Sequence, residues 1–190
     1  MDDRLYEEST LINDTLEPYY LEVSHFYEPL TETTHFHTRD MLTAYMSELM
    51  KTATGADFAF HNSGGTRRFI ETKTVMTKAI MQDVFSFYNR FITVHLPAYK
   101  VRDLIQSNPF YEGDETIIID GEYYVVATHD YIFSHPRNQL DRFDDIKYYD
   151  AYIYELAFED LKRKSDVFNR FSVYDQITLD DTYDIVPINP

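Results

Sequence analysis

No cysteine occurs in the 190 residues, so the chain has neither a disulfide framework nor thiolate chemistry, and cysteine usage leaves its compartment open. Basic residues are scarce: 17 Lys and Arg stand against 33 Asp and Glu, a formal net charge of −16. Such a charge repels DNA, RNA and anionic lipid at long range, which argues against a nucleic-acid or membrane partner. No apolar run approaches the roughly 20 residues that cross a bilayer, and Met1-Asp2-Asp3-Arg4 lacks the basic-then-apolar start of a signal peptide. What is present is a folded core. Hydrophobic residues make up 44% of the chain and aromatics 16%, too much apolar surface for disorder, and the length suits one domain.

Against this acidic background one stretch stands out. Ala56-Asp57-Phe58-Ala59-Phe60 reads as a short buried strand, and Asn62-Ser63-Gly64-Gly65-Thr66-Arg67 follows it. Paired glycines permit positive φ and close approach of backbone N–H groups to a ligand, and arginine offers a rigid fork of donors that fits phosphate. Glycine after a strand is also ordinary turn chemistry. Of the neighbouring basic residues, Arg67 is the candidate anion ligand and Arg68 a solvated surface charge.

Periodicity gives the layout. Residues 2–30 carry Leu11, Ile12, Leu16, Tyr19, Tyr20 and Val23 at irregular helical spacing, interrupted by Pro18 and Pro29, as in a linker and docking helix. Phe36, Met41, Leu42, Tyr45, Met46, Leu49 and Met50 recur every three or four residues, the stripe of an amphipathic helix whose methionines are core. A third helix is expected from Thr74, with Ala79, Ile80, Val84 and Phe85 on one side. Residues 116–127 read as a hairpin around Asp120-Gly121, and 146–164 as a helix. Strands mixed with helices in this way predict an α+β fold.

The same order of segments resembles the C-terminal domain of the 5'-nucleotidase family, whose first domain is a two-metal phosphoesterase. The likeness runs from about Phe36 to about Phe133. Relatives read G-A-D-(apolar)-(apolar)-x-N-x-G-G-(apolar)-R, and Gly55 to Arg67 fits this with Thr66 in the last apolar place. Val84-Phe85-Ser86-Phe87-Tyr88-Asn89 keeps the Phe and Asn of an (apolar)-x-P-F-G-N segment, with Ser86 for proline and Tyr88 for glycine. A strand at 91–96 and a short helix at 99–105 come next, and Tyr124 to Tyr131 matches Y-x-V-x-x-x-D/N-F. The resemblance implies mixed sheets in four layers, α/β/β/α. It also implies a base stacked between Phe87 and Tyr131, with Asn62, Gly64, Gly65, Arg67 and Asn89 as further substrate contacts.

Two departures qualify the transfer. The family's G-G-D-G turn, whose aspartate helps hold the sugar, is replaced by Ser134-His135-Pro136-Arg137, with Arg137 where the acid is expected. The arginine that relatives place ahead of the first helix has His35, Phe36, His37 and Arg39 as candidates here. Both the missing turn and the run into 143–148 look closer to a signal-less bacterial branch of these metallophosphatases.

The Asp-x-His, Gly-Asp, Gly-Asn-His and Gly-His-x-His clusters that hold two metals in the catalytic half are absent. The expectation is therefore a substrate-recognition domain, with no catalytic or metal residues and no cofactor of its own. It would bind a nucleotide or small phosphate ester and present it to an N-terminal metallophosphatase domain that carries the divalent metals. Alone it is expected to be inactive. The expected organisation is a helical linker at 1–33, the binding domain at 34–179 and a peripheral tail at 180–190, with the cytoplasm favoured and a secreted or cell-surface location open. His35-x-His37 and His129-Asp130 invite a metal reading, but a closed site needs more ligands. Asp144-Asp145 and Asp180-Asp181 are most simply solvated charges, and no serine sits on a nucleophile elbow. The alternative from another class is a non-catalytic interaction module with a degraded pocket.

Overall fold

The computed structural model describes residues 3–168 and 187–188. The fold is α+β, built on a six-stranded mixed sheet with order β5-β2-β6-β4-β7-β8. In chain order, helix α1 (Asp3–Ser24) leads to strand β1 (Thr31–Glu32), helix α2 (Arg39–Thr54) and strand β2 (Phe58–Phe60). Strand β3 (Val75–Met76), helix α3 (Lys78–Val84), strand β4 (Arg90–Pro97) and helix α4 (Ala98–Ser107) follow. Strand β5 (Tyr111–Glu112), strand β6 (Tyr123–His129), helix α5 (Asp130–Ser134), strand β7 (Lys147–Tyr152), helix α6 (Ile153–Phe168) and strand β8 (Pro187–Ile188) complete it. Strands β2 and β6 are parallel, and every other pair is antiparallel. Helices cover both faces of this sheet, and the second sheet is a two-stranded ribbon, β1 with β3.

The strand alternation explains the layering. Ala59, Phe91 and Ala127 point to one face, where Leu42, Met46 and Leu49 of α2, Met81 and Val84 of α3 and Ile153 and Leu161 of α6 close over them. Phe58, Phe60, Ile92, Val94 and Val126 point to the other, against Val101 and Leu104 of α4 and Ile132 and Phe133 of α5. Central strands covered on both sides must be apolar at every position, hence the near-continuous runs at 58–60 and 124–127.

The Gly55-Ala56-Asp57 start of the family-like motif has a structural explanation. Gly55 (φ 66°) ends α2 in the left-handed conformation, which glycine adopts without a Cβ penalty. Ala56 is core. Asp57 then latches β2 to β6: its N–H donates to the Val125 carbonyl at 2.9 Å, and its Oδ2 accepts the Val125 N–H at 2.8 Å. At the other end of α2, the Thr38 hydroxyl caps Met41 N–H at 3.2 Å.

Two expectations are corrected. The first arm of the 116–127 hairpin is not a strand; Glu115–Ile117 is a 3₁₀ turn with Ile117 and Ile119 exposed. Asp114 caps Thr116 N–H at 2.9 Å, Tyr124 Oη pins Ile119 N–H at 2.7 Å, and both edges of β6 are already taken by β2 and β4. The Asp120-Gly121 turn itself remains, with Gly121 at φ 91°. The helix expected over 146–164 starts only at Ile153, because residues 147–152 fill the free edge of β4 as β7. Helix α1 continues through Pro18. The expected peripheral tail falls outside the described residues except for β8, which pairs with β7.

Candidate functional site

Register decides where the candidate residues meet. Strand β6 runs parallel to β2, with Ala59 opposite Ala127, so both strands leave the sheet at the same end. Strand β4 is antiparallel to β6, with Phe91 opposite His129, so β4 enters at that end. The loops at 61–67, 85–89 and 130–138 therefore converge, although 76 residues separate Asn62 from Asn138 in sequence. Asp130 ties two of them together, its Oδ2 accepting Arg90 N–H at 2.9 Å.

The glycine loop is a 3₁₀ turn over Ser63–Gly65 with Asn62 at its N-cap. Neither Gly64 nor Gly65 has positive φ, contrary to the expectation from sequence. Gly65 is required for space instead, since a Cβ there would lie 2.6 Å from Cε1 of His61. Gly64 is the exposed member of the pair. Arg39 at the start of α2 clamps the loop from outside, donating through Nε to the Thr66 carbonyl at 2.9 Å and through Nη2 to the Ser63 carbonyl at 3.1 Å. This settles which of the four residues ahead of the helix is engaged with the loop. Thr66 is buried, and its Oγ1 accepts the Thr43 hydroxyl at 2.8 Å.

Under the loop lie two histidines that sequence did not single out as a pair. The rings of His61 and His129 are 4.9 Å apart, His61 meets Phe85 edge-on at 5.8 Å, and both imidazoles are fully buried. None of their four ring nitrogens has a hydrogen-bond partner, and the buried Oδ1 of Asn62 has none either. Burial drives both rings to the neutral form, His129 down to about 3 and His61 well below its ordinary value, where His129 adds to the effect. Loss of the charged form keeps the pair compatible with an apolar floor.

The sequence-derived site residues fall into two groups. Arg67 and Phe87 form one, the guanidinium carbon 5.7 Å from the ring centroid, with Phe87 46% exposed. Arg67 has no ion-pair partner among the described residues, whereas Arg68 is exposed and committed to Asp83 at 2.6 Å. Asn62 and Tyr131 form the other group, lining a cleft of ≈ 730 Å³ with Tyr131 53% exposed. Arg39 and Arg67 also border a second hollow of ≈ 510 Å³ beside Ile80 and Val84. Asn89 and Gly64 line neither; Asn89 contributes its carbonyl, which accepts Ile153 N–H at 3.0 Å at the start of α6. Tyr88, in the place of the family glycine, packs edge-on against Tyr152 and Tyr154.

Sequence reasoning missed Lys100, Asn108 and Asn138 at the cleft. Nothing in their spacing signals a site, because α4 and the loops reach it only through sheet topology. Among the described residues no group of three or more His, Cys, Asp or Glu side chains could hold a metal. His35 is exposed and shares a hydrogen bond with Thr34, while His37 is buried.

No protein-family model matches the sequence, and no curated protein matches it. Solved structures do match in fold. A 5'-nucleotidase precursor from Thermus thermophilus is similar with a TM-score of 0.65 and 14% identity, over 86% of this chain and 41% of that one. The NAD nucleotidase of Haemophilus influenzae gives 0.61 and 15%, over 87% of this chain and 40% of that one. The sulfate thiohydrolase SoxB of Thermus thermophilus gives 0.56 and 12%, over 94% and 40%. The chain thus has the fold of 5'-nucleotidase-type C-terminal domains and spans less than half the length of these structures.

Proposed function

From a fold held in common with 5'-nucleotidase-type structures, we propose that this chain is the nucleotide-recognition domain of a metal-dependent phosphohydrolase. It holds a nucleotide or related phosphate ester for a metal-bearing domain that this chain does not contain. The observation that carries the proposal is the convergence at one end of the sheet. Phe87, on the loop before β4, and Tyr131, at the start of α5, are half-exposed rings on segments tied by the Asp130 to Arg90 hydrogen bond, and Arg67 beside Phe87 has no carboxylate partner among the described residues.

Each part has a chemical task. Large exposed aromatics in a chain with a well-filled core are candidate stacking faces, and base stacking on such a face contributes about 1–3 kcal/mol while tolerating many bases. Arg67 supplies charge-assisted hydrogen bonds to a phosphate, and its contact with Phe87 positions the fork beside the stacked base. The buried, unpartnered Oδ1 of Asn62 is an acceptor left over for an ordered water under the loop. Arg39 acts through the loop, holding the carbonyls of Ser63 and Thr66 so that the loop keeps one shape.

The test is calorimetric titration of the purified chain with AMP, adenosine and UDP-glucose at low salt. Saturable binding is expected, weakened about five- to 150-fold by Phe87→Ala, which matches the stacking range, while Arg67→Ala should weaken AMP and UDP-glucose but not adenosine, which carries no phosphate. Absence of binding by all three ligands sinks the proposal. A second reading rests on α1, where Ile12, Leu16, Tyr19, Tyr20 and Val23 are exposed at helical spacing along one stripe. Such a stripe fits a protein partner. With no nucleotide affinity to lose, the chain would be an interaction module.

A further inference from the structure

The ≈ 730 Å³ cleft extends beyond Asn62 and Tyr131 to a wall formed by α4 and the turn that follows α5. Lys100 and Arg137 line this wall, with Asp103 as the single carboxylate. Several cations elsewhere in this acidic chain are matched: Arg68 with Asp83, Arg90 with Asp150, Arg102 with Asp120, Lys164 with Asp160. Lys100 and Arg137 are not, for among the described residues neither makes an ion pair, and Asp103 one turn along α4 engages neither. Two cations outside any ion pair, set against the single carboxylate of Asp103, leave this concave surface locally positive in a chain of net charge −16 and able to attract an anion.

The turn is built to hold its position. His135 and Asn138 are its ends, joined by Asn138 N–H to the His135 carbonyl at 2.8 Å, and Pro136 takes the position where its fixed φ is favoured. Asn138 Nδ2 donates to the Ile132 carbonyl at 2.8 Å. His135 Nδ1 accepts Arg137 N–H at 3.3 Å, which puts the ring proton of the neutral imidazole on Nε2, and the ring meets Tyr131 edge-on at 5.6 Å. Lysine, arginine and an imidazole N–H thus line one cleft with the exposed Tyr131.

We propose that this cleft takes a second anionic group of the ligand, so that the favoured ligand is a nucleotide carrying a further phosphate on its ribose. This rests on the nucleotide-recognition reading, with one anion at Arg67, the base by Tyr131, and the additional phosphate between Lys100 and Arg137. Two separate anion sites, one beside Phe87 and one in the cleft that Tyr131 lines, select ligands with two separate charges.

The experiment titrates the full chain at low salt with AMP, adenosine 3′,5′-bisphosphate, adenosine 2′,5′-bisphosphate and inorganic phosphate, then repeats the series with Lys100→Gln/Arg137→Gln. Binding of at least one bisphosphate about tenfold or more tighter than AMP is expected, with the ratio falling close to one in the double variant. AMP binding with no preference for either bisphosphate overturns the second anion site and leaves the first reading standing. Phosphate and bisphosphate binding that depends on Lys100 and Arg137, without AMP binding, supports the anion cleft and overturns the nucleotide reading. No binding of any ligand overturns both. Both substituted side chains border solvent, so a thermal melt close to wild type confirms that the double variant is folded.

Discussion

Gly65→Ala is the sharpest test of how the glycine loop is held. A Cβ at residue 65 would lie 2.6 Å from Cε1 and 2.9 Å from Nε2 of His61, and 3.2 Å from Oδ1 of Asn62. Distances under 3.0 Å force something to move. His61 has no room, being fully buried with His129 at 4.9 Å and Phe85 at 5.8 Å between ring centroids. The strain must go into the loop backbone, which Arg39 and the Thr43 to Thr66 hydrogen bond resist. Overpacking of a tight interior costs about 1–3 kcal/mol. Gly64→Ala is the matched control: its Cβ would meet only Nδ2 of Asn62, at 3.1 Å, the far end of a side chain. With no positive φ at residue 64, alanine there also reduces the freedom of the unfolded chain, so its stability should stay within about 0.5 kcal/mol of wild type or rise slightly. Urea unfolding followed by far-UV circular dichroism measures both. Equal stability of Gly65→Ala and wild type, or a larger loss in Gly64→Ala, would refute the idea that residue 65 is glycine for space rather than for ligand approach or backbone freedom.

The buried histidine pair predicts acid lability. Burial lowers the folded-state values of His61 and His129, so the unfolded chain binds more protons than the native one below the ordinary imidazole value near 6.5. Their contribution is fully present above that value and is lost as pH falls from about 6.5 toward about 3. The loss of stability between pH 7.5 and 4.5 should be on the order of a few kcal/mol larger in wild type than in His129→Leu; parallel pH profiles for the two proteins would count against it. Arg39→Ala should loosen the 63–66 loop, speeding amide exchange there and lowering nucleotide affinity more than global stability, at a cost of about 1–2 kcal/mol for the two lost hydrogen bonds. Arg39→Lys should not restore it, because one ammonium cannot reproduce donors at both Nε and Nη2; full rescue by lysine would show that charge alone matters.

Much of the local structure was legible from residues. The α2 stripe from Leu42 to Met50, the buried strand at 58–60 and the strand at 91–96 all carry their period in the sequence, since burial on one helix face or on both sheet faces fixes which positions must be apolar. The Asp-Gly turn at 120–121 was legible for the same local reason. The hairpin arm at 116–119 and the helix start at 146 were not. Isoleucines at 117–119 are suited to a strand, yet β6 had no free edge for them, while 147–152 found one on β4. Strand identity there depends on which edge is vacant, a property of the assembled sheet.

The candidate site divides along the same line. The sequence by itself determined the chemical inventory: an acidic chain of net charge −16 without thiols, whose glycine loop and Arg67 suit a small anion and whose motif order pointed to Phe87 and Tyr131. It also held the α+β class, because helical and strand periods alternate along it. Only the tertiary structure decided the rest. It gave Arg68 its partner Asp83, and it assigned Arg39 to the loop. It set His61 over His129 beneath Gly65, and it brought Lys100 and Arg137 to the cleft that Tyr131 lines. The physical reason is that side-chain chemistry and local periodicity are carried by neighbours in sequence. The vacancy of strand edges and the meetings of Arg39 with Thr66, His61 with His129 and Lys100 with Arg137 are set by residues far apart in sequence, which come together only when the sheet closes its register.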